Sequence, residues 1–134
     1  MTTIQRCYNI FLYKYSVILG LELTTSKKLQ LFKQQAEICK TMADAKRLMI
    51  IHELRKGECS VGQLAARLSL SQANTSQHLA ILRKRGVIIP RHDGTTVFYQ
   101  LASSKIGEAC DLVREMLADN LEKNYELVEF IRPT

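Results

Sequence analysis

Between residues 68 and 86 the chain runs LSLSQANTSQHLAILRKRG. The front half of this stretch carries Ser71, Gln72, Asn74, Thr75, Gln77 and His78. These side chains donate and accept hydrogen bonds with almost no net charge. The back half turns apolar and then basic, ending in Arg83, Lys84 and Arg85. A helical face meant only for solvation usually carries charge. Amides and hydroxyls instead match the donor and acceptor patterns on base-pair edges, whereas a row of lysines would hold only phosphate. At about 100° per residue, Thr75, Leu79 and Leu82 share one side of such a helix and are able to dock on a domain. Ala73 and Gln77 lie opposite, flanked by Asn74 and His78, and Ala73 is small enough to meet a thymine methyl.

Positioning that face requires elements on both sides of it. Ser26 is placed to cap a helix through KKLQLFKQQAEICKTM, with Leu29, Phe32, Ala36 and Cys39 at helical spacing. DAKRLMIIHELRKG predicts a second helix with Leu48, Ile51 and Leu54 inward and Gly57 as its stop. Ser60 followed by Gln63 forms a capping box that starts a short third helix, with Leu64, Ala65 and Leu68 toward the core. Ser71 then caps the fourth helix, which ends at Gly86. The period next changes. VIIPR and TVFYQL, joined by a tight turn at Asp93-Gly94, predict two short strands, with Pro90 suited to an edge. Residues 103–131 return to helix with an apolar stripe of Ile106, Cys110, Val113, Met116, Leu117 and Leu121.

The expected fold is therefore mainly α with a small β-hairpin, in the order α-α-α-α-β-β-α. Two short helices joined tightly and followed by a hairpin make a winged helix-turn-helix, whose second short helix enters the DNA major groove. Arg91, His92 and Thr95 surround the hairpin turn and project donors toward phosphates or the minor groove, while Asp93 suits the turn itself. Ser71, Gln72, Ala73, Asn74, Gln77, His78 and Lys84 complete the expected DNA-contacting set.

Charge distribution agrees with this placement. The net charge of +6 divides into +3 over residues 1–39, +6 over residues 40–100 and −3 over residues 101–134. The middle segment alone thus favours a polyanionic partner. The cysteines at 7, 39, 59 and 110 form no C-x-x-C pair, which argues against a zinc ribbon and for reduced thiols in the cytoplasm. IFLYKYSVILGLEL near the N-terminus is interrupted by Lys14, too short to span a bilayer, and lacks a small-residue cleavage site. Residues 1–25 are expected to be an extension and residues 26–134 the working domain. No phosphate loop or ligand cluster points to catalysis or to a cofactor.

The segments MADAKRLMIIHEL, ECSVGQLAARLSLSQANTSQHLAILRKRGVI and RHDGTTVFYQL resemble the ArsR/SmtB family of transcriptional repressors over about residues 32–117. The likeness is nearest to the subgroup of sulfur-responsive and haemolysin-gene regulators. It implies a homodimer built through the first and last helices, a near-palindromic double-stranded operator, and release of DNA by a metal or a thiol-reactive signal. The family's soft-metal cysteine pair in the third helix is replaced here by Ser60 and Gly62. No histidine follows His92 to build a last-helix metal site. The subgroup's two cysteines correspond to His52 and Ala118, so its thiol switch does not transfer. Cys39 and Cys110 remain as regulatory thiol candidates, and no metal site is expected. The competing reading is a winged-helix module that binds protein, with the polar fourth helix incidental.

Overall fold

The structure, a computed structural model, describes residues 25–120 together with Thr2, Thr3, Gln5, Ile10 and Phe11. Its elements run α1 (Thr25–Met42), α2 (Ala45–Leu54), β1 (Cys59–Ser60), α3 (Val61–Leu68), α4 (Gln72–Lys84), β2 (Ile88–Asp93), β3 (Thr96–Leu101) and α5 (Ser104–Asn120). By internal contacts the chain divides into two units, Met1–Glu37 and Ile38–Thr134. Apart from the few N-terminal residues named, the expected extension lies outside the described residues. So does the continuation of the last helix past residue 120, with Leu121.

Short polar side chains write the helix starts. Asp44 caps α2 by accepting from the Arg47 N–H at 3.1 Å. Ser60 and Gln63 form the expected capping box, at 3.2 and 2.9 Å. Ser71 accepts from the Asn74 N–H at 3.1 Å to start α4. Each bond satisfies a backbone donor that the first helical turn leaves free. The Leu70 N–H returns to the Ala65 carbonyl at 2.9 Å and closes α3. That closure holds Ser69 in the left-handed region at φ 53. A side chain there crowds the following carbonyl, so Ser69→Gly is expected to raise unfolding free energy by about 0.5–1 kcal/mol, net of the added freedom of the unfolded chain. Urea titration checks this; a loss of stability would contradict it.

The helical stripes meet in one core of Ile50, Ile51, Leu54, Cys59, Leu64, Leu79, Leu82, Val87, Ile88 and Cys110. Met42, Val61, Leu68, Tyr99, Leu101 and Ile106 pack around it. The inward face expected of α4 is found in full: Thr75, Leu79 and Leu82 are all buried, and the Thr75 hydroxyl donates to the Ser71 carbonyl at 2.9 Å. In α2 the face differs from expectation. Leu48 is 38% exposed, and Ile50 joins Ile51 and Leu54 in the core. About 120° of helix separates residue 48 from residue 54, and the position nearer the core axis belongs to Arg47. The guanidinium of Arg47 turns back to the Thr41 carbonyl.

The sheet has three strands where two were expected. β1 pairs antiparallel with β3, Cys59 opposite Tyr99 and Ser60 opposite Phe98, giving the order β1-β3-β2. Pro90 thus lies on an edge strand, as its missing N–H requires. Asp93 faces Thr96 across a two-residue turn of Gly94 and Thr95, one position later than expected. Gly94 has φ 59, the positive value needed at the first central residue of such a turn.

α5 is tied to α2 by a long side chain. Arg55 crosses Gly107, where an added Cβ would meet its side-chain stem, and pairs with Asp111, which also pairs with Arg114. Its Nη1 donates to the Gly107 carbonyl at 3.4 Å. Farther along α5, Leu112, Val113, Met116 and Leu117 are exposed, as are Leu29, Leu31 and Phe32 on α1.

Candidate nucleic-acid interface

Because Thr75, Leu79 and Leu82 anchor one side of α4, the opposite side is presented outward. Ser71, Gln72, Ala73, Ser76, Gln77, Ala80 and Lys84 are exposed, and Asn74 and His78 are half-buried on the flank. Ala73 and Gln77 thus lie on the exposed ridge with Gln72 and Asn74 beside it, whereas His78 does not join them. The Ser71 oxygen caps the helix as an acceptor, and a hydroxyl so engaged still has a hydrogen able to donate.

Beside this ridge lies an open groove of about 370 Å³, lined by Ser76, Ala80, Arg83 and Lys84 of α4 and by Tyr99 of β3. It joins hydroxyls, a methyl surface and two cations at the junction of helix and wing, a composition suited to a sugar–phosphate strand. Ser76, Ala80 and Tyr99 were not singled out from sequence. The 100° progression along α4 carries Ser76 and Ala80, but Tyr99 needs the sheet to bring it there.

His78 is turned aside from the ridge. Its side chain is 14% exposed, and its buried Nδ1 makes no hydrogen bond and lies 3.8 Å from Asp44 Oδ1 at the start of α2. The Arg47 N–H, and after it the Arg47 and His78 charges, hold the Asp44 carboxyl below its usual range.

The wing carries Arg91, His92 and Thr95 exposed around its end. Arg91, expected as a phosphate donor, is already engaged. Its Nε and Nη2 donate to the two Glu58 oxygens at 2.9 and 2.5 Å, and its guanidinium lies 4.9 Å over the Phe98 ring. Glu58, just before β1, had no distinguishing signal in the sequence.

Of the thiols, Cys39 is exposed, and Cys59 and Cys110 are buried. Burial pushes the Cys110 thiol up, against an opposing pull from Arg55 and with a further push from Cys39. Cys59 accepts from Arg67 Nη1 at 3.0 Å. Among the described residues, no three His, Cys, Asp or Glu side chains converge as a metal site, and no helix is long and apolar enough to cross a membrane.

Residues 44–89, from the α2 cap to the first wing strand, match the model of the bacterial regulatory protein arsR family. The chain is 42% identical over 79 residues to the transcriptional activator HlyU of Vibrio cholerae, a span of 59% of this chain and 73% of that protein. The chain belongs to the arsR family. Another family relative, the biofilm growth-associated repressor of Agrobacterium fabrum, is 41% identical over 52% of this chain and 60% of its own length. The homodimeric winged helix-turn-helix DNA-binding domain of a possible ArsR-family regulator from Mycobacterium bovis superposes with a TM-score of 0.68. That pair is 26% identical and covers 78% of this chain and 96% of the other. As an arsR-family protein the chain is a DNA-binding transcriptional regulator on a winged helix-turn-helix scaffold. The ridge of α4 and the β2–β3 hairpin are the helix and wing of that scaffold. The two places where the resemblance would put soft-metal cysteines have other work or none: Ser60 caps α3, and Gly62 is exposed on its first turn.

Proposed function

We propose that this regulator is a dimeric repressor whose α4 ridge lies in the major groove of a near-palindromic operator. The observation that carries the reading is a helix with one face fully buried and its opposite face exposed and rich in hydrogen-bonding groups, with its charge confined to Arg83 and Lys84 in the last turn. Gln72, Asn74 and Gln77 are the base-edge readers, Ala73 gives close approach, and Lys84 holds backbone phosphate. His92 and Thr95 reach phosphates from the wing, with Arg91 available once its ion pair opens. Ser71 and His78 act at the margin of the contact. Dimerisation through the first and last helices is supported by the exposed apolar side chains of α1 and α5, which a second copy would cover. Occupancy alone excludes polymerase from overlapping DNA, so repression asks nothing more of the interface. The protein works without a cofactor or catalytic step, in the cytoplasm.

The signal in this reading is a thiol-reactive species rather than a metal. Cys39 is the accessible thiol, and Cys110 is the buried one on α5. Oxidation or capping of either would alter packing beside α5. Selection of genomic fragments by the purified protein, under reducing and then oxidising conditions, tests the whole reading. The expected result is enrichment of two-fold symmetric sites with half-sites about 10 base pairs, or a multiple of that, apart. Oxidant should release them from the wild type but not from the Cys39→Ser, Cys110→Ser double variant, whereas stoichiometric zinc, cadmium or arsenite should not. Enrichment of no sequence would favour the protein-binding module, and a response that survives loss of both cysteines would exclude the thiol mechanism.

A further inference from the structure

The wing, from β2 to β3, contains one arginine and no lysine. That single permanent cation is bound at both ends of its fork. Two of its nitrogens are taken by Glu58, the third lies 3.9 Å from Asp93 Oδ2, and its flat face covers Phe98 on the central strand. One arginine stands between two carboxylates, Glu58 before β1 and Asp93 at the turn, so its charge is more than offset locally. Such a wing is poorly made for indiscriminate attachment to phosphate.

We propose that Glu58 is a specificity-determining residue of the DNA interface, a counter-ion that withholds the Arg91 charge from the DNA backbone. The inference rests on the DNA-binding reading of the wing. A free arginine there would strengthen binding to every sequence alike, because phosphate contacts carry no sequence information. Holding it back leaves more of the affinity to the α4 ridge, which does distinguish bases. The two side chains are 46% and 36% exposed, so the pair opens to solvent and to competing phosphate without unfolding anything. At neutral pH both partners are charged, since the Arg91 hydrogen bonds hold the Glu58 carboxyl below its usual range. Of the two carboxylates beside Arg91, Glu58 is the one that binds it through two hydrogen bonds, and its removal frees that cation without adding another.

The test is binding of a random-sequence duplex and of the selected operator, across a salt series, by the full chain and by Glu58→Gln, Arg91→Ala and the double variant. Glu58→Gln is expected to tighten random-duplex binding severalfold at low salt. The log–log salt slope should steepen by about 0.9, so that the gain shrinks about threefold between 50 and 200 mM salt. The double variant should lose this gain, because the gain passes through Arg91. A gain that persists in the double variant would reduce the effect to bulk charge and overturn the proposal. Unchanged or weakened binding by a Glu58→Gln protein with wild-type urea midpoint would overturn it too, by making the closed pair the binding form. Loss of stability in Glu58→Gln would make the pair a strut, again overturning it, and Arg91→Ala would then share that loss. A wild type that binds neither duplex would sink the DNA reading itself; a wild type that binds while Glu58→Gln changes nothing would sink this inference alone.

Discussion

Leu82→Ala is expected to lower the unfolding free energy by about 2–5 kcal/mol, the range for removing a fully buried leucine and leaving part of its volume empty. Leu82 is wholly buried on the inward face of α4, in the core that joins α2, α3 and the sheet. Total stabilities of small domains are only about 5–15 kcal/mol, so the variant stands near the limit of folding. The consequence for function is direct, because the exposed ridge is anchored on the core through Thr75, Leu79 and Leu82. Urea or thermal unfolding measures the loss, and DNA affinity should fall with it at growth temperature. A change below about 1 kcal/mol would mean that the site collapses around the missing side chain or that α4 does not depend on this anchor.

Gln77→Ala is expected to act on recognition and leave the fold alone. Gln77 is exposed near the middle of the ridge and has no part in the core. Loss of an amide that contacts a base edge weakens operator binding by about 1–3 kcal/mol, with little change for random DNA. Lys84→Ala supplies the contrast: it should weaken both and flatten the salt slope by about one unit. Parallel titrations on operator and random duplex distinguish the two. Equal losses on both duplexes for Gln77→Ala would remove α4 from the reading role.

How much of this was legible beforehand depended on range. The buried face of α4 and the caps at Ser60 and Ser71 are encoded within four residues of themselves, and they were readable. Leu48 was misplaced because one apolar residue on a short helix fits two neighbouring arcs, and the choice between them was made by Arg47 turning toward Thr41. β1 is two residues long and carries no period of its own; it exists because Tyr99 and Phe98 lie opposite it. The engagement of Arg91 was hidden for a similar reason. Its partner is 33 positions away, in a loop whose sequence reads simply as polar. Local patterns told which side chains of α4 point outward, and only the sheet told that Arg91 is already occupied.

The crossing of Arg55 over Gly107 bears on how this chain is free to diverge. Position 107 takes a side chain only if the Arg55 stem moves aside, since the first carbon added there would meet it. Asp111 belongs to the same coupling, because its loss removes a partner from two guanidinium groups at once. Lineages descending from this sequence should therefore tend to exchange these three positions together. A side chain at 107 should arrive most readily in company with a shorter residue at 55, leaving a correlated trace across generations at sites separated by half a hundred residues.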